Sequence, residues 1–163
     1  MPLKKLHPEF LRHAEFILPV DSGRPQSVVI RRSISAAYYA VWHCVCFAWS
    51  QKFSPELQQM LSRSPDHKQV KTAAGKIKGN KSDWMTGDCC ADLNQMCEDF
   101  IRLQEMRHEA DYNITTILQK QDAVEALSRA KRFIQTFETQ NRDVTLGMDC
   151  LLLESIGLKK PSR

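Results

Sequence analysis

From Ser33 to Trp49 the chain runs for 17 residues without an aspartate, glutamate, lysine or arginine. Such a stretch must either be buried on most sides or cross a membrane. It is short for a bilayer, which asks for about 20 apolar residues, and it contains Ser33, Ser35, Tyr38, Tyr39 and His43. It therefore reads as the central helix of a folded core, with no membrane span. Its small residues, Ser33, Ser35, Ala36, Ala37 and Ala40, let neighbouring helices approach closely. No run of alternating β-branched residues reads as a strand, so the expected class is all-α. At 163 residues, 42% hydrophobic and 26% charged, the composition suits one soluble domain with a real core.

Capping and periodicity divide the chain. Pro8 suits a first helical turn, and Phe10, Ala14 and Ile17 share a face over a helix from Pro8 to Leu18. Pro19 and the Asp21-Ser22-Gly23 turn close it. The central helix spans roughly Gln26 to Ser50. Ser54-Pro55 and Ser64-Pro65 read as N-caps followed by proline, opening helices near 55–63 and 65–78. Gly79 to Gly87 reads as a loop with Trp84 tucked against the core. A fourth main helix runs from about Asp88 to Asn113. A fifth runs from Lys120 to Gln140, with Ala123, Leu127, Ala130, Ile134 and Phe137 at 4-3-4-3 spacing. On its wet side Glu125 and Arg129 form an i,i+4 pair. Val144 to Ile156 adds a short helix, and Lys159 to Arg163 a basic tail. The expected architecture is a single antiparallel bundle of four to five main helices, with its core over about 8–140 and 141–163 appended.

The fourth main helix carries two charges out of place. At about 100° per residue, Leu93, Met96, Cys97, Phe100, Leu103, Ala110 and Ile114 form one apolar stripe. Arg107 and Asp111 fall in the middle of it, while Glu98, Arg102, Glu105 and Glu109 gather on the opposite face. A charged pair on an apolar face is costly unless the charges pair with each other or line a polar cleft. The pair marks either a ligand-binding cleft or an internal ion pair tying this helix to Arg31 or Arg32 and the tyrosines.

The formal net charge is +4. Between Arg63 and Lys81 six basic residues, including Lys68 and Lys71, face Asp66 alone. This is either a solvated face or a phosphate-facing patch. The six cysteines have no metal-clamp spacing, and Met1 to Leu18 lacks the apolar core of a secretory signal. Reduced structural thiols, a cytoplasmic location, and no metal or cofactor are the expectation.

Two blocks together carry a family resemblance. Ile30 to His43 reads IRRSISAAYYAVWH, and Leu103 to Tyr112 reads LQEMRHEADY. In that order they resemble the HEPN superfamily, in the prokaryotic branches with an RR-x₄-AAYYA-x₂-H helix and a later RHxADY helix. The resemblance covers roughly Phe10 to Phe137. It implies an up-and-down helical bundle that homodimerises, with the two RHxADY helices facing a shared cleft. It also implies RNA or nucleotide binding, with a metal-independent endoribonuclease of the toxin or defence kind as the catalytic form. Non-catalytic members serve as interaction domains, and an antitoxin or a nucleotidyltransferase is the implied partner class.

Two alignments place the family's arginine–histidine motif. Arg102 and His108 match literally, with five residues between them, but lie about 120° apart on an ideal helix. Starting instead at Arg107 agrees with the apolar stripe and puts Tyr112 where the catalytic histidine is expected. Arg107 then supplies a fixed cation with a fork suited to phosphate, His108 shuttles a proton, and Asp111 and Tyr112 complete the site. A phenol, which ordinarily titrates at about 10, is a poor base. Arg31, Arg32, Tyr38, Tyr39, His43, Lys68 and Lys71 are the expected nucleic-acid or nucleotide contacts.

Overall fold

The computed structural model describes residues 4–18, 26–61, 65–85, 87–139 and 141–158. Among them are seven helices and no strand: α1 (His7–Ile17), α2 (Ser27–Ser50), α3 (Pro55–Leu61), α4 (His67–Lys78), α5 (Ala91–Tyr112), α6 (Lys120–Glu138) and α7 (Arg142–Ser155). The turn expected at Pro19 to Gly23, the Ser64 cap and the tail from Lys159 lie outside the described residues.

The charge-free stretch becomes α2, and its neighbours explain its composition. It packs against α1, α5 and α6 at once, so Ile34, Ala37, Ala40, Val41 and Val45 are all fully enclosed. Ala14 of α1 meets it closely enough for Ser33 Oγ to donate to the Ala14 carbonyl at 2.9 Å. The second half of the molecule is built on α4, which packs on α5 and α7. Val144, Met148, Leu151 and Leu152 of α7 join the same hydrophobic cluster as α2 and α5. Residues 144–152, expected as an appendage to the bundle, thus contribute to the core. Gly147 explains how α7 approaches α5: a Cβ there would lie 2.1 Å from Leu93 Cδ2.

Side chains cap the starts of α4, α6 and α7 by engaging free backbone N–H groups. Asp66 caps α4, its Oδ1 accepting from the amides of Lys68 and Gln69 at 2.9 Å each. A carboxylate there also favours the positive end of the helix dipole. Asp122 Oδ2 accepts from Gln119 N at 2.7 Å at the start of α6. The indole of Trp84 does tuck in, half-buried, with Nε1 donating to the Leu158 carbonyl at 3.0 Å.

The α5 stripe holds from Leu93 to Ala110 and fails at Ile114. That residue lies beyond the helix and is 88% exposed. Met106 and, more unexpectedly, Asp99 are buried instead. Asp99 is fully enclosed, its carboxylate accepting from Arg129 Nη1 at 3.0 Å, Arg132 Nε at 2.8 Å and Gln95 Nε2 at 3.2 Å. Arg129 does pair with Glu125 at 2.8 Å, but it faces α5 rather than water.

Candidate functional site

Arg107 projects from α5 towards α2, and its side chain is 18% exposed. Its Nη2 donates to the Tyr39 hydroxyl at 2.9 Å and to the Tyr112 hydroxyl at 3.3 Å. Its Nε lies 2.7 Å from Asp111 Oδ2, a charge contact in which the N–H does not point at the carboxylate. Burial disfavours the guanidinium charge, but Tyr39 and Asp111 outweigh it and hold the arginine above its ordinary value. Asp111 Oδ1 in turn accepts from Ser35 Oγ. One network therefore joins Arg107 and Asp111 of α5 to Ser35 and Tyr39 of α2.

The chemistry of that network follows from donor and acceptor roles. Each phenol accepts from the guanidinium and keeps its own O–H to give. Nη1 takes part in none of these contacts. Three donors, from Arg107 Nη1, Tyr39 and Tyr112, thus gather around one guanidinium, a set suited to phosphate oxygens. Asp111 balances the charge, so attraction rests on hydrogen bonds more than on net charge. Tyr112 is 62% exposed, and the exposed His108 lies against it with ring centroids 5.1 Å apart.

A further histidine enters this region from α4, with no local sign of it in the neighbouring residues. His67 stacks on Trp42 at 3.7 Å, its Nδ1 is hydrogen-bonded to the Tyr38 hydroxyl, and its ring stands edge-on to Tyr39. Gln104 Nε2 holds its backbone carbonyl at 2.9 Å. Burial first, and then the Arg107 charge, lowers the His67 pKa. Only the non-local packing of α4 on α5 brings it here.

Other expected contacts have different occupations. Arg31 is a helix cap: Nη1 donates to the carbonyls of Glu109 (3.2 Å), Ala110 (2.9 Å) and Asn113 (3.0 Å), and Nη2 to Thr116 (2.6 Å). The Glu109 and Asn113 carbonyls also accept backbone amides, from Asn113 N at 3.2 Å and Thr116 N at 3.4 Å, so Arg31 reinforces the end of α5 and the turn after it and belongs to the fold. Tyr38 is fully buried and cannot stack on a nucleotide. His43 is half-buried, stacked on Phe10 at 4.8 Å, and burial lowers its pKa. Arg32 is exposed.

Three of the six residues of the basic run are ion-paired. Lys71 pairs with Glu105 at 2.9 Å, Lys76 with Glu154 at 2.8 Å and Lys78 with Glu98 at 3.1 Å. Lys68 is exposed on α4, while Arg63 lies outside the described residues. Arg102, the motif arginine of the literal alignment, lies 3.6 Å from Glu125 of α6.

All six cysteines are free thiols. Burial pushes those of Cys44, Cys46 and Cys97 up to about 12. Among the described residues no group of three or more His, Cys, Asp or Glu is placed to hold a metal ion, and no helix is long and apolar enough to cross a membrane. Comparison with protein families, curated proteins and solved structures gives no match to this chain.

Proposed function

We propose that this chain is a HEPN-type antiparallel helical bundle that binds RNA or a nucleotide through the Arg107 cluster, with two protomers facing across that cleft. The carrying observation is the guanidinium ringed by two phenols that each retain a hydroxyl to donate. In the catalytic form it is a metal-independent endoribonuclease. The 2′-oxygen of the substrate attacks the adjacent phosphorus and the bond to the 5′-oxygen breaks. A base takes the 2′-hydroxyl proton and an acid returns one to the leaving oxygen. Arg107 and the tyrosyl hydroxyls steady the phosphorane, Tyr112 positions the phosphate, and His108, exposed beside it, moves the proton. His67 is a second imidazole within Coulombic reach of Arg107. Incubation of single-stranded RNA with the protein in EDTA tests this directly, because cleavage should persist without metal and vanish in Arg107→Ala.

A second reading is favoured by a separate observation. Tyr112, Ile114 and Ile117 are 62%, 88% and 82% exposed around the end of α5. Large apolar side chains clustered at one edge suit a protein interface. In that reading the chain is a non-catalytic interaction domain, and the Arg107 network only joins α5 to α2. Its partner, by family analogy, is an antitoxin or a nucleotidyltransferase. Sedimentation of Ile114→Asp and Ile117→Asp together with an RNA titration of the wild type discriminates, since this reading expects assembly to weaken in the variants and the wild type to bind no RNA.

A further inference from the structure

A cavity of about 400 Å³ opens at the far end of α2, where the first turn of α1, the last turn of α6 and the first half of α7 meet. Its apolar lining comes from Phe47, Trp49, Phe137 and Met148. The Trp49 indole N–H is satisfied by the Met148 carbonyl at 3.0 Å, so that wall offers a flat, dry surface. His7 also lines the cavity. Its side chain is only 6% exposed, and its Nδ1 is buried with no hydrogen-bond partner. A buried polar atom without a partner is expensive, about 1–3 kcal/mol. Among the residues around the cavity it is the group that calls for something to fill the space.

The surroundings define what that is. Glu138 Oε1 stands 3.9 Å from His7 Nε2, which favours the proton on Nε2 and leaves the Nδ1 lone pair as an acceptor. Burial lowers the His7 pKa, against the pull of Glu138 and with the help of Lys5. The ring is therefore neutral at pH 7. Lys5 lies over the Phe47 ring at 5.5 Å, while Lys52, which lines the same cavity, is paired with Asp149 at 2.5 Å. A donor is wanted at His7, a flat apolar body beside the aromatic walls, and an anionic end near Lys5. The volume falls within the range of small-molecule sites, about 300–1,000 Å³.

We propose that this cavity is a binding site for a small planar aromatic anion carrying an N–H or O–H donor, separate from the Arg107 cluster. Anilinonaphthalene sulfonate has all three features and serves as the test compound. Titrated into the full chain, it should bind saturably with one site per chain, quench tryptophan fluorescence through Trp49, and weaken as salt is raised. His7→Phe, which removes the acceptor, should weaken binding about tenfold or more, equivalent to about 1.4 kcal/mol. Thr145→Trp, a substitution at an exposed lining residue, should block the cavity without touching the buried core. Circular dichroism checks the helix content of both variants. Absence of saturable binding to the wild type would overturn the proposal, and so would unchanged binding in a folded Thr145→Trp.

Discussion

The Tyr39 hydroxyl accepts a hydrogen bond from Arg107 Nη2 at 2.9 Å, joining α2 to α5 at the point where the apolar stripe of α5 is interrupted. This contact explains why an arginine is tolerated there. Its charge meets Asp111 at 2.7 Å, and its ring neighbours are Tyr39 and Tyr112, with the guanidinium carbon 5.5 Å and 5.1 Å from their centroids. The same contact leaves the Tyr39 hydroxyl hydrogen to donate elsewhere. Structural and ligand-binding roles therefore share one set of atoms, and a fall in melting temperature in Arg107→Ala does not by itself separate them.

Arg31 and Arg32 are adjacent in sequence and opposite in consequence. Arg31→Met removes four hydrogen bonds to carbonyls at and just beyond the end of α5, and should cost about 2–3 kcal/mol. That corresponds to a melting temperature lower by roughly 5–10 °C. Arg32→Met, at an exposed position, should change stability by no more than about 0.5 kcal/mol while weakening RNA binding. Thermal melts with RNA titrations on both variants check this.

The contrast between those arginines shows where sequence reasoning works. Helix existence was legible because periodicity and caps are local: Pro8, Pro55 and the 4-3-4-3 row from Ala123 to Phe137 all mark real helices. The misplaced charges at 107 and 111 were legible for the same reason. What was not legible is non-local pairing. Nothing near Arg31 reveals that its partners are carbonyls 78 to 85 residues away. His67 likewise reaches Trp42 and Tyr38 only because α4 packs on α5, and one turn of sequence around it is silent on that.

Asp99 provides a test of how a buried carboxylate is held. Replacing both Arg129 and Arg132 with alanine leaves that charge enclosed with Gln95 alone, and should cost about 3–5 kcal/mol. Asp99→Asn should cost less, because the side chains of Arg129 and Arg132 are 22% and 46% exposed and can turn to water. Urea unfolding of the two variants should rank them in that order.

Acidification should loosen the fold through its enclosed histidines. His7, His43 and His67 all have pKa values lowered first by burial; Glu138 opposes and Lys5 assists at His7, while Arg107 assists and Asp66 opposes at His67. Below about pH 6.5 the unfolded chain takes up protons that the folded chain resists, so the unfolded state binds more protons and stability falls. The contribution is fully present above about pH 6.5 and is lost as the pH drops towards the folded values. Melting temperatures between about pH 7.5 and 5 should decline, and His67→Gln should flatten part of that slope.

The central claim is that the Arg107 cluster receives the phosphate of RNA or a nucleotide. The most direct measurement is fluorescence anisotropy of a labelled single-stranded RNA, run in EDTA beside a cleavage gel, for the wild type and for Arg107→Ala with its helix content verified. The wild type should bind and cut the RNA without metal, and Arg107→Ala should lose cleavage and weaken binding about tenfold or more. RNA left unbound and uncut by the wild type, or handled equally by the folded variant, would contradict it.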